Sequence, residues 1–302
     1  MNYFLQNADG QKWKLPAPVS VSLQKDEDAP AAGLQAVFPA WEDVPCAAFF
    51  RVEEIDGTVW FDGVVDTLMQ TDGAARLLKL TARSRAALLL DSEALPCLYA
   101  RPSLPQLIRD HAVPYGFAGA AGCTDIFEVP YTVEKGISEW QVLAEFCQNY
   151  LGQTLREMDG VLTAEAQNGG EALLLGGKGI PYMQVCEQRN FYRGLSEIWE
   201  YNNGIWGKRA QDSFVQQLGL LRCRRTTDAA ALLQTAQKAM LSVTVLCAGW
   251  VRAQTGQKAM LNHCGKTREL RIGQVLYSLS ASGKTTRFLL YAQEKGELQC
   301  GC

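Results

Sequence analysis

The sequence predicts an α+β protein that is mostly β, with a small helical module between two β-rich thirds. Three observations carry this prediction. Short alternating segments separated by turns fill the first ninety residues, two serine-capped helices follow, and strand patterns return in the last third. Regular short strands with turns roughly every 8–12 residues are typical of barrels and sandwiches.

The composition is that of an ordinary globular chain. Of the 302 residues, 47% are hydrophobic and 20% are charged, and 29 basic against 32 acidic residues give a net charge of −3. A dedicated nucleic-acid binder shows a basic excess, and a membrane helix needs about 20 apolar residues in a row. The sequence shows neither, and residues 1–15 lack a basic-then-apolar leader. We expect a cytosol-made protein without specific nucleic-acid binding or membrane insertion.

The first third, 1–95, reads as a β domain. Four segments predict strands because apolar and polar residues alternate in them or because turn residues bound them: Val19–Leu23, Ala47–Val52, Thr58–Val65 and Arg76–Thr81. Asp56-Gly57 predicts a hairpin turn, and Asp62-Gly63 and Asp72-Gly73 predict further turns. The apolar segment Ala82–Leu90 predicts a short helix closed by Asp91.

The middle third, 96–165, predicts an α+β module. Ser103 precedes apolar residues at helical spacing through His111, and Ser138 begins a stronger pattern that runs to Tyr150. Gly152 is placed to end this second helix. The turn Asp159-Gly160 then leads into a strand, Val161–Ala164.

The last third, 166–302, is again β-rich. Five segments predict strands: Glu171–Leu175, Gly179–Glu187, Leu241–Leu246, Glu269–Leu276 and Arg287–Ala292. Thr227–Met240 predicts one helix. The stretch Asn190–Gly207 carries five aromatic residues, which suit either a core and subunit contact or a carbohydrate-stacking surface made by Trp199, Tyr201 and Trp206.

The cysteines and histidines predict no metal, cofactor or catalytic site. Only Cys300 and Cys302 of the ten cysteines lie close together, so the ligand pairs of a zinc site are missing and buried free thiols are the simpler interpretation. A redox or metal role for that terminal pair is the alternative. The two histidines are few for acid–base chemistry, and His263 and Cys264 cannot form a dyad if they sit on opposite faces of a strand.

A phosphate-loop motif is excluded at Ser282–Thr286. The segment contains Gly-Lys-Thr, but position 278 is Ser where the motif requires Gly, and the following residues predict a strand instead of a helix. A hairpin turn at Gly283 is the better interpretation.

Four blocks in order resemble the late-control D family, the Mu-type baseplate hubs of contractile phage tails and R-type tailocins. The blocks are the strand and Arg-Ser-Arg segment Leu78–Asp91, the Leu98–Phe117 segment, the helix and hairpin Gly136–Gly160, and the closing Tyr277–Thr286 segment with its flanking strands. Together they cover most of the chain.

The resemblance implies two tube-like β-barrel domains in a hub-type ring protein. It implies a homotrimer that adapts the hexameric tail tube to the trimeric spike, contacts other baseplate proteins and lines the central conduit of a virion or tailocin particle. Arg83, Ser84, Arg85 and Asp91 are the candidate interface residues. For the arginines, inter-subunit or tube-facing ion pairing competes with a local role at an ordinary solvated strand end, where Asp91 is the local partner.

Three other functions stay open. A tail-tip cell-wall hydrolase would need paired carboxylates in a cleft, and Glu53 with Glu54 or Glu197 with Glu200 are the candidates. A carbohydrate-binding tail module would use the aromatic stretch. The hub of an extracellular injection system would share much of the expected fold. The first interpretation, a hub without enzymatic activity, is the one we favour.

Overall fold

The structure is a computed structural model, which describes residues 1–39, 44–121, 124–158, 160–165, 171–202, 204–227 and 229–292. Cys123, Cys300 and Cys302 lie outside these ranges, as does Asp159. The chain divides into two compact units, 1–170 with 276–285 and 171–275 with 286–302. The division into 1–95, 96–165 and 166–302 stays a prediction.

The first unit opens with seven antiparallel strands that are part of a 13-stranded sheet. The strands are β1 (Asn2–Gln6), β2 (Lys12–Lys14), β3 (Ser20–Asp26), β4 (Gly33–Pro39), β5 (Phe49–Glu53), β6 (Val59–Thr71) and β7 (Leu77–Ser84). Their order is β3-β4-β7-β6-β5-β1-β2. Buried and more exposed residues alternate along β1, β3, β4, β5 and β7. The rings of Tyr3, Phe38, Phe50 and Phe61 pack together in the core. The predicted mostly-β character is confirmed.

Two turn predictions in this sheet have different outcomes. Gly57 adopts φ +87° between β5 and β6, so the hairpin at Asp56-Gly57 is confirmed. The turn at Asp62-Gly63 is wrong, because both residues lie inside β6. Gly63 is needed there for close approach, since a Cβ at this position would lie 2.0 Å from the carbonyl oxygen of Arg83.

The segment after β6 is more extended than the sequence predicts. The helix expected over Ala82–Leu90 is wrong in its first part, because β7 continues through Ser84 and only α1 (Ala86–Leu90) is helical. Leu80, Ala82 and Ser84 are all buried, so the period-two pattern runs on past the predicted end of the strand.

The middle of the chain holds the two predicted helices. They are α2 (Leu104–His111) and α3 (Glu139–Phe146), and the associated strands are β8 (Cys97–Tyr99), β9 (Ala118–Ala121), β10 (Tyr131–Val133), β11 (Thr154–Met158) and β12 (Val161–Glu165). Ser103 and Ser138 cap the helices as predicted, the latter in a capping box with Gln141. A π-helical turn follows α3 and ends at Gly152 with φ +61°.

These elements enclose a core of their own. Phe146 is fully buried and its ring contacts those of Phe127, Tyr131 and Tyr150. Trp140 is 6% exposed and belongs to the same cluster of apolar side chains.

The second unit contains a three-stranded sheet of order β16-β15-β17 and further strands of the 13-stranded sheet. These further strands have the order β14-β18-β21-β20-β19-β13, and residues 276–285 of β20 and β21 belong to the first unit. The strands are β13 (Leu173–Leu175), β14 (Tyr182–Arg189), β15 (Glu197–Asn202), β16 (Ile205–Gln211), β17 (Cys223–Thr226), β18 (Leu241–Ala248), β19 (Lys258–His263), β20 (Lys266–Ser280) and β21 (Gly283–Tyr291). The helices are α4 (Ser213–Gln217) and α5 (Ala229–Met240), the latter as predicted.

The phosphate-loop motif is a hairpin tip. Gly283 starts β21 with φ +105°, directly after the turn that follows β20, so this interpretation is confirmed. Among the described residues, each sheet has an open strand order and none closes into a barrel. The predicted architecture of two tube-like β-barrel domains is therefore not confirmed by the described strands.

Candidate functional site

Arg83 is the centre of an ion-pair cluster on the first sheet. It stands near the end of β7, and its Nε lies 3.1 Å and 3.0 Å from the two carboxylate oxygens of Asp66 on β6. Its Nη1 and Nη2 donate to Asp91, just after α1, at 3.1 Å and 2.6 Å. One guanidinium thus joins two carboxylates in the planar, bidentate geometry that arginine favours.

A bulge in β6 delivers Asp66 to this cluster. Val65 faces Ala82 and Thr67 faces Thr81 across the β6–β7 ladder, so Asp66 is the extra residue between two paired positions. A bulge residue is released from strict alternation and can be aimed sideways. The sequence analysis did not identify Asp66 as a partner of Arg83, because nothing in the residue pattern marks the bulge.

The charges in the cluster are stabilised mutually. Hydrogen bonds from Arg83, aided by its positive charge, hold the pKa of the Asp91 carboxyl below its usual range. The hydrogen bonds that Arg83 donates to Asp91 and Asp66 raise the pKa of Arg83 in turn. Arg83 and Asp91 are therefore both ionised at neutral pH, and their side chains stay 37% and 57% exposed.

Arg85 forms a second, more enclosed cluster. Its guanidinium contacts Asp62 at 3.2 Å and lies over the ring of Phe49, 5.1 Å from the centroid. Arg51 reaches the same carboxylate at 3.4 Å. Arg85 also passes beside Gly116, where a Cβ would lie 3.7 Å from its Nη1. Arg85 therefore ties the sheet to the helical part of the same unit.

Ser84 faces inward between the two arginines. It is 5% exposed, its amide donates to the Ala32 carbonyl at 2.8 Å, and its hydroxyl accepts from the Ala32 amide at 3.1 Å. All four predicted interface residues make contacts within the chain. Arg83 and Asp91 also present charge to solvent, whereas Ser84 and Arg85 are more enclosed.

Three of the four acids considered for hydrolysis are engaged in local contacts. Glu53 accepts from Arg51 at 3.0 Å, Glu54 accepts from the Trp60 indole at 3.1 Å, and Glu197 pairs with Lys208 at 2.5 Å. The Lys208 hydrogen bond lowers the pKa of Glu197. The general acid of a glycoside hydrolase needs a raised pKa, so this shift does not suit Glu197 to that role.

The aromatic stretch forms one face of the small sheet. Tyr201 and Trp206 face each other across β15 and β16 with ring centroids 5.2 Å apart, and they are 49% and 43% exposed. Trp199 lies between Lys208 and Arg225 in the register of the three strands. Aromatic and basic side chains are therefore neighbours on this face, a placement that their distance in sequence conceals.

His111 is buried in the helical module, where it makes structural contacts. Its Nδ1 lies 2.5 Å from Glu139, and its Nε2 lies 3.0 Å from the hydroxyl of Tyr99. Tyr115 donates to the other Glu139 oxygen at 3.1 Å. These bonds link the end of α2 to the start of α3.

The prediction that His263 and Cys264 lie on opposite faces of a strand is wrong. β19 ends at His263, and Cys264 lies in the following turn with φ +51°, so the two side chains are not on opposite faces of a strand. The Cys264 Sγ lies 3.3 Å from His263 Nε2. Cys147 and Cys247 are buried as predicted, whereas Cys46, Cys97, Cys186, Cys223 and Cys264 are exposed.

The described residues contain neither a candidate metal site nor a helix that could span a membrane. Within these ranges no group of three or more His, Cys, Asp or Glu side chains could hold a metal ion. In the same part of the chain, no helix combines the length and the apolar character needed to cross a membrane.

Comparison with solved structures identifies the fold. A 43 kDa tail protein of prophage MuSo2 from Shewanella oneidensis matches with a TM-score of 0.73 and 14% identity, over 96% of this chain and 98% of that one. A tail protein from Neisseria meningitidis matches with a TM-score of 0.68 and 17% identity, over 98% and 97% of the two chains. This chain has the fold of a phage tail protein.

A structure with a lower TM-score is also related to tail proteins. A component of the Escherichia coli type VI secretion system, itself described as similar to T4 tail proteins, matches with a TM-score of 0.57 and 8% identity over 92% of this chain and 74% of that one. No protein-family model and no curated protein matches the sequence. The tail-protein fold is thus retained although sequence identity is low.

Proposed function

We propose that this chain is a structural baseplate hub of a contractile tail, from a prophage or a tailocin. The observation that carries the proposal is the near-complete match, in both directions, to two bacterial tail proteins. A match that spans 96% or more of each chain involves the whole architecture and not one common domain.

The proposed assembly is a homotrimer of the late-control D type. Each subunit supplies two β-rich units as tube-like domains, so three subunits present six similar units around the conduit. Such a ring fits a hexameric tail tube on one side and a trimeric spike on the other. Ring closure also covers strand edges that would otherwise remain open to other chains.

The open sheets of the chain are consistent with this assembly. The described strand orders leave edges, and isolated proteins generally protect such edges by charge, bulges or partner strands. Arg83, Ser84, Arg85 and Asp91 are proposed to lie at or beside the contact between subunits or with the tube. Arg83 and Asp91 would make the contact, and Ser84 and Arg85 would hold β7 in place behind them.

A hub of an injection system is the second candidate. It is favoured by the match to the type VI secretion component and by matches of TM-score 0.55–0.57 to chains of a Francisella PdpA–VgrG complex. This chain covers 57% and 52% of those last two chains, and TM-scores are lower than for the tail proteins. The contractile-tail hub is therefore preferred.

Mass and activity measurements test the proposal. Light scattering of the purified full chain, alone and mixed with the spike protein of the same tail, should give a species containing three copies of 33.3 kDa. Zymography on bacterial cell walls should show no clearing. A chain that remains monomeric with the spike present, or a cleared zone, would contradict the hub proposal.

A further inference from the structure

The turn between β19 and β20 brings a cysteine, a histidine and a tyrosine into one line. Cys264 Sγ lies 3.3 Å from His263 Nε2, and His263 Nδ1 lies 2.8 Å from the hydroxyl of Tyr182. Cys264 is exposed, while the other two are partly buried. A nucleophile (Cys264), a base (His263) and a group that orients the base (Tyr182) thus lie in a row, which is the arrangement that activates a side chain for nucleophilic attack.

The histidine is held on its far side. The rings of Tyr182 and His263 meet edge to face with centroids 5.8 Å apart. Gly176 packs behind Tyr182, where a Cβ would lie 2.7 Å from the tyrosine Cε1 and 2.4 Å from the carbonyl oxygen of Asn262. The tyrosine ring is therefore confined between a glycine turn and the end of β19, which fixes the imidazole orientation.

The cysteine is set apart from the other thiols. In the described part of the chain, Cys264 is the sole non-glycine residue with positive φ, and it is followed by Gly265 at φ +74° in the two-residue loop. Such loops favour Asn, Asp or Gly at this position, so a cysteine here is conformationally unfavourable. Among the described cysteines, it alone has a histidine nitrogen within hydrogen-bonding distance.

We propose that Cys264 is a modification site that undergoes thiol–disulfide exchange with small disulfides. In one tautomer of His263, Nδ1–H donates to the Tyr182 oxygen and Nε2 is free to accept the thiol proton. The resulting imidazolium can donate to both neighbours at once, to the tyrosine oxygen and to the thiolate. His263 acts as the base and Tyr182 as a positioning residue.

The exchange step balances without an additional reagent. The Cys264 proton passes to His263 Nε2, and the sulfur electron pair forms a bond to one sulfur of the incoming disulfide. The incoming S–S bond breaks, and its other sulfur leaves and takes up the proton. Cys264 is thereby oxidised to a mixed disulfide while the leaving half is reduced to a thiol. The proposal does not depend on the hub function.

The test compares exchange rates within one molecule. The full chain is treated with glutathione disulfide at pH 7.5, quenched at intervals and mapped by peptide mass spectrometry. Cys264 should be modified about tenfold faster than the exposed control cysteines Cys186 and Cys223, since the thiolate is the attacking species. His263→Asn should reduce the Cys264 rate to that of the controls without altering theirs. Tyr182→Phe should give an intermediate rate.

Equal rates at Cys264 and at the two control cysteines in the unaltered protein would overturn the proposal, and that comparison requires no variant to fold. An unchanged Cys264 rate in His263→Asn would also overturn it. If His263→Asn accelerates modification of the control cysteines, the variant has lost structure, and the rate ratio in the unaltered protein decides the outcome.

Discussion

Arg83→Glu separates an interface role from a local one. The substitution removes both ion pairs of Arg83 and places a third carboxylate beside Asp66 and Asp91. Exposed ion pairs contribute about 0.2–1 kcal/mol each, and like charges at such a site cost a similar amount. Because Arg83 and Asp91 are both more than one third exposed, the total loss should be about 2 kcal/mol of folding free energy. A domain with about 5–15 kcal/mol of stability remains folded after that loss.

The effect on assembly should be much larger than the effect on folding. If Arg83 and Asp91 line a subunit or tube contact, reversing one charge there places repulsive groups in every copy of that contact. Urea unfolding followed by circular dichroism gives the first quantity, and light scattering of the spike-bound protein gives the second. We expect a modest shift of the urea midpoint together with loss of the trimer.

Arg76→Glu is the matched control. Arg76 pairs with Asp72 at 3.0 Å in the loop between β6 and β7, and it is 70% exposed, so the change in charge is identical and the local cost is smaller. This variant should fold and assemble normally. The interface reasoning fails if Arg83→Glu assembles as well as Arg76→Glu, or if its folding and assembly are lost in equal measure.

Three further predictions address the architecture of each unit. Gly63→Ala should cost about 3 kcal/mol in urea unfolding because its Cβ meets backbone, whereas Gly33→Ala, with open space around the Cβ, should change stability by less than about 1 kcal/mol. Phe146→Ala should cost about 3–5 kcal/mol and increase proteolysis of the helical module, and equal resistance of the two proteins would contradict that packing. The hydrogen bond from Arg268 lowers the pKa of Glu187, so the pair stabilises the fold above the ordinary carboxyl pKa and this stabilisation is lost as the pH falls. Glu187→Gln should therefore reduce the drop in melting temperature between pH 7 and pH 3. An unchanged drop would argue against the pair.

The helical module was the most predictable part of the fold. Ser103 and Ser138 signal helix starts through local hydrogen bonds, so neighbouring residues contain the information. Asp62-Gly63 shows the limit of such local signals. The same pair that marks turns elsewhere lies in mid-strand here, because β7 approaches too closely for a side chain at Gly63.

The candidate sites were predictable only in part. Arg83 and Asp91 are eight positions apart and were identified together, but Asp66 joins them through a bulge that leaves no pattern in the sequence. The pairing of Cys264 with His263 depends on one residue's positive φ, and alternation along an ideal strand predicts the opposite. Contacts made by irregular backbone require the tertiary structure.

The central claim is that this chain forms the ring between tail tube and spike, and electron cryo-microscopy of the intact particle tests it most directly. The account predicts three copies around the axis at that level, each contributing two β-rich units to an approximately sixfold wall around the conduit. Density for the chain on the periphery of the baseplate, or six copies that contribute one unit each, would contradict it.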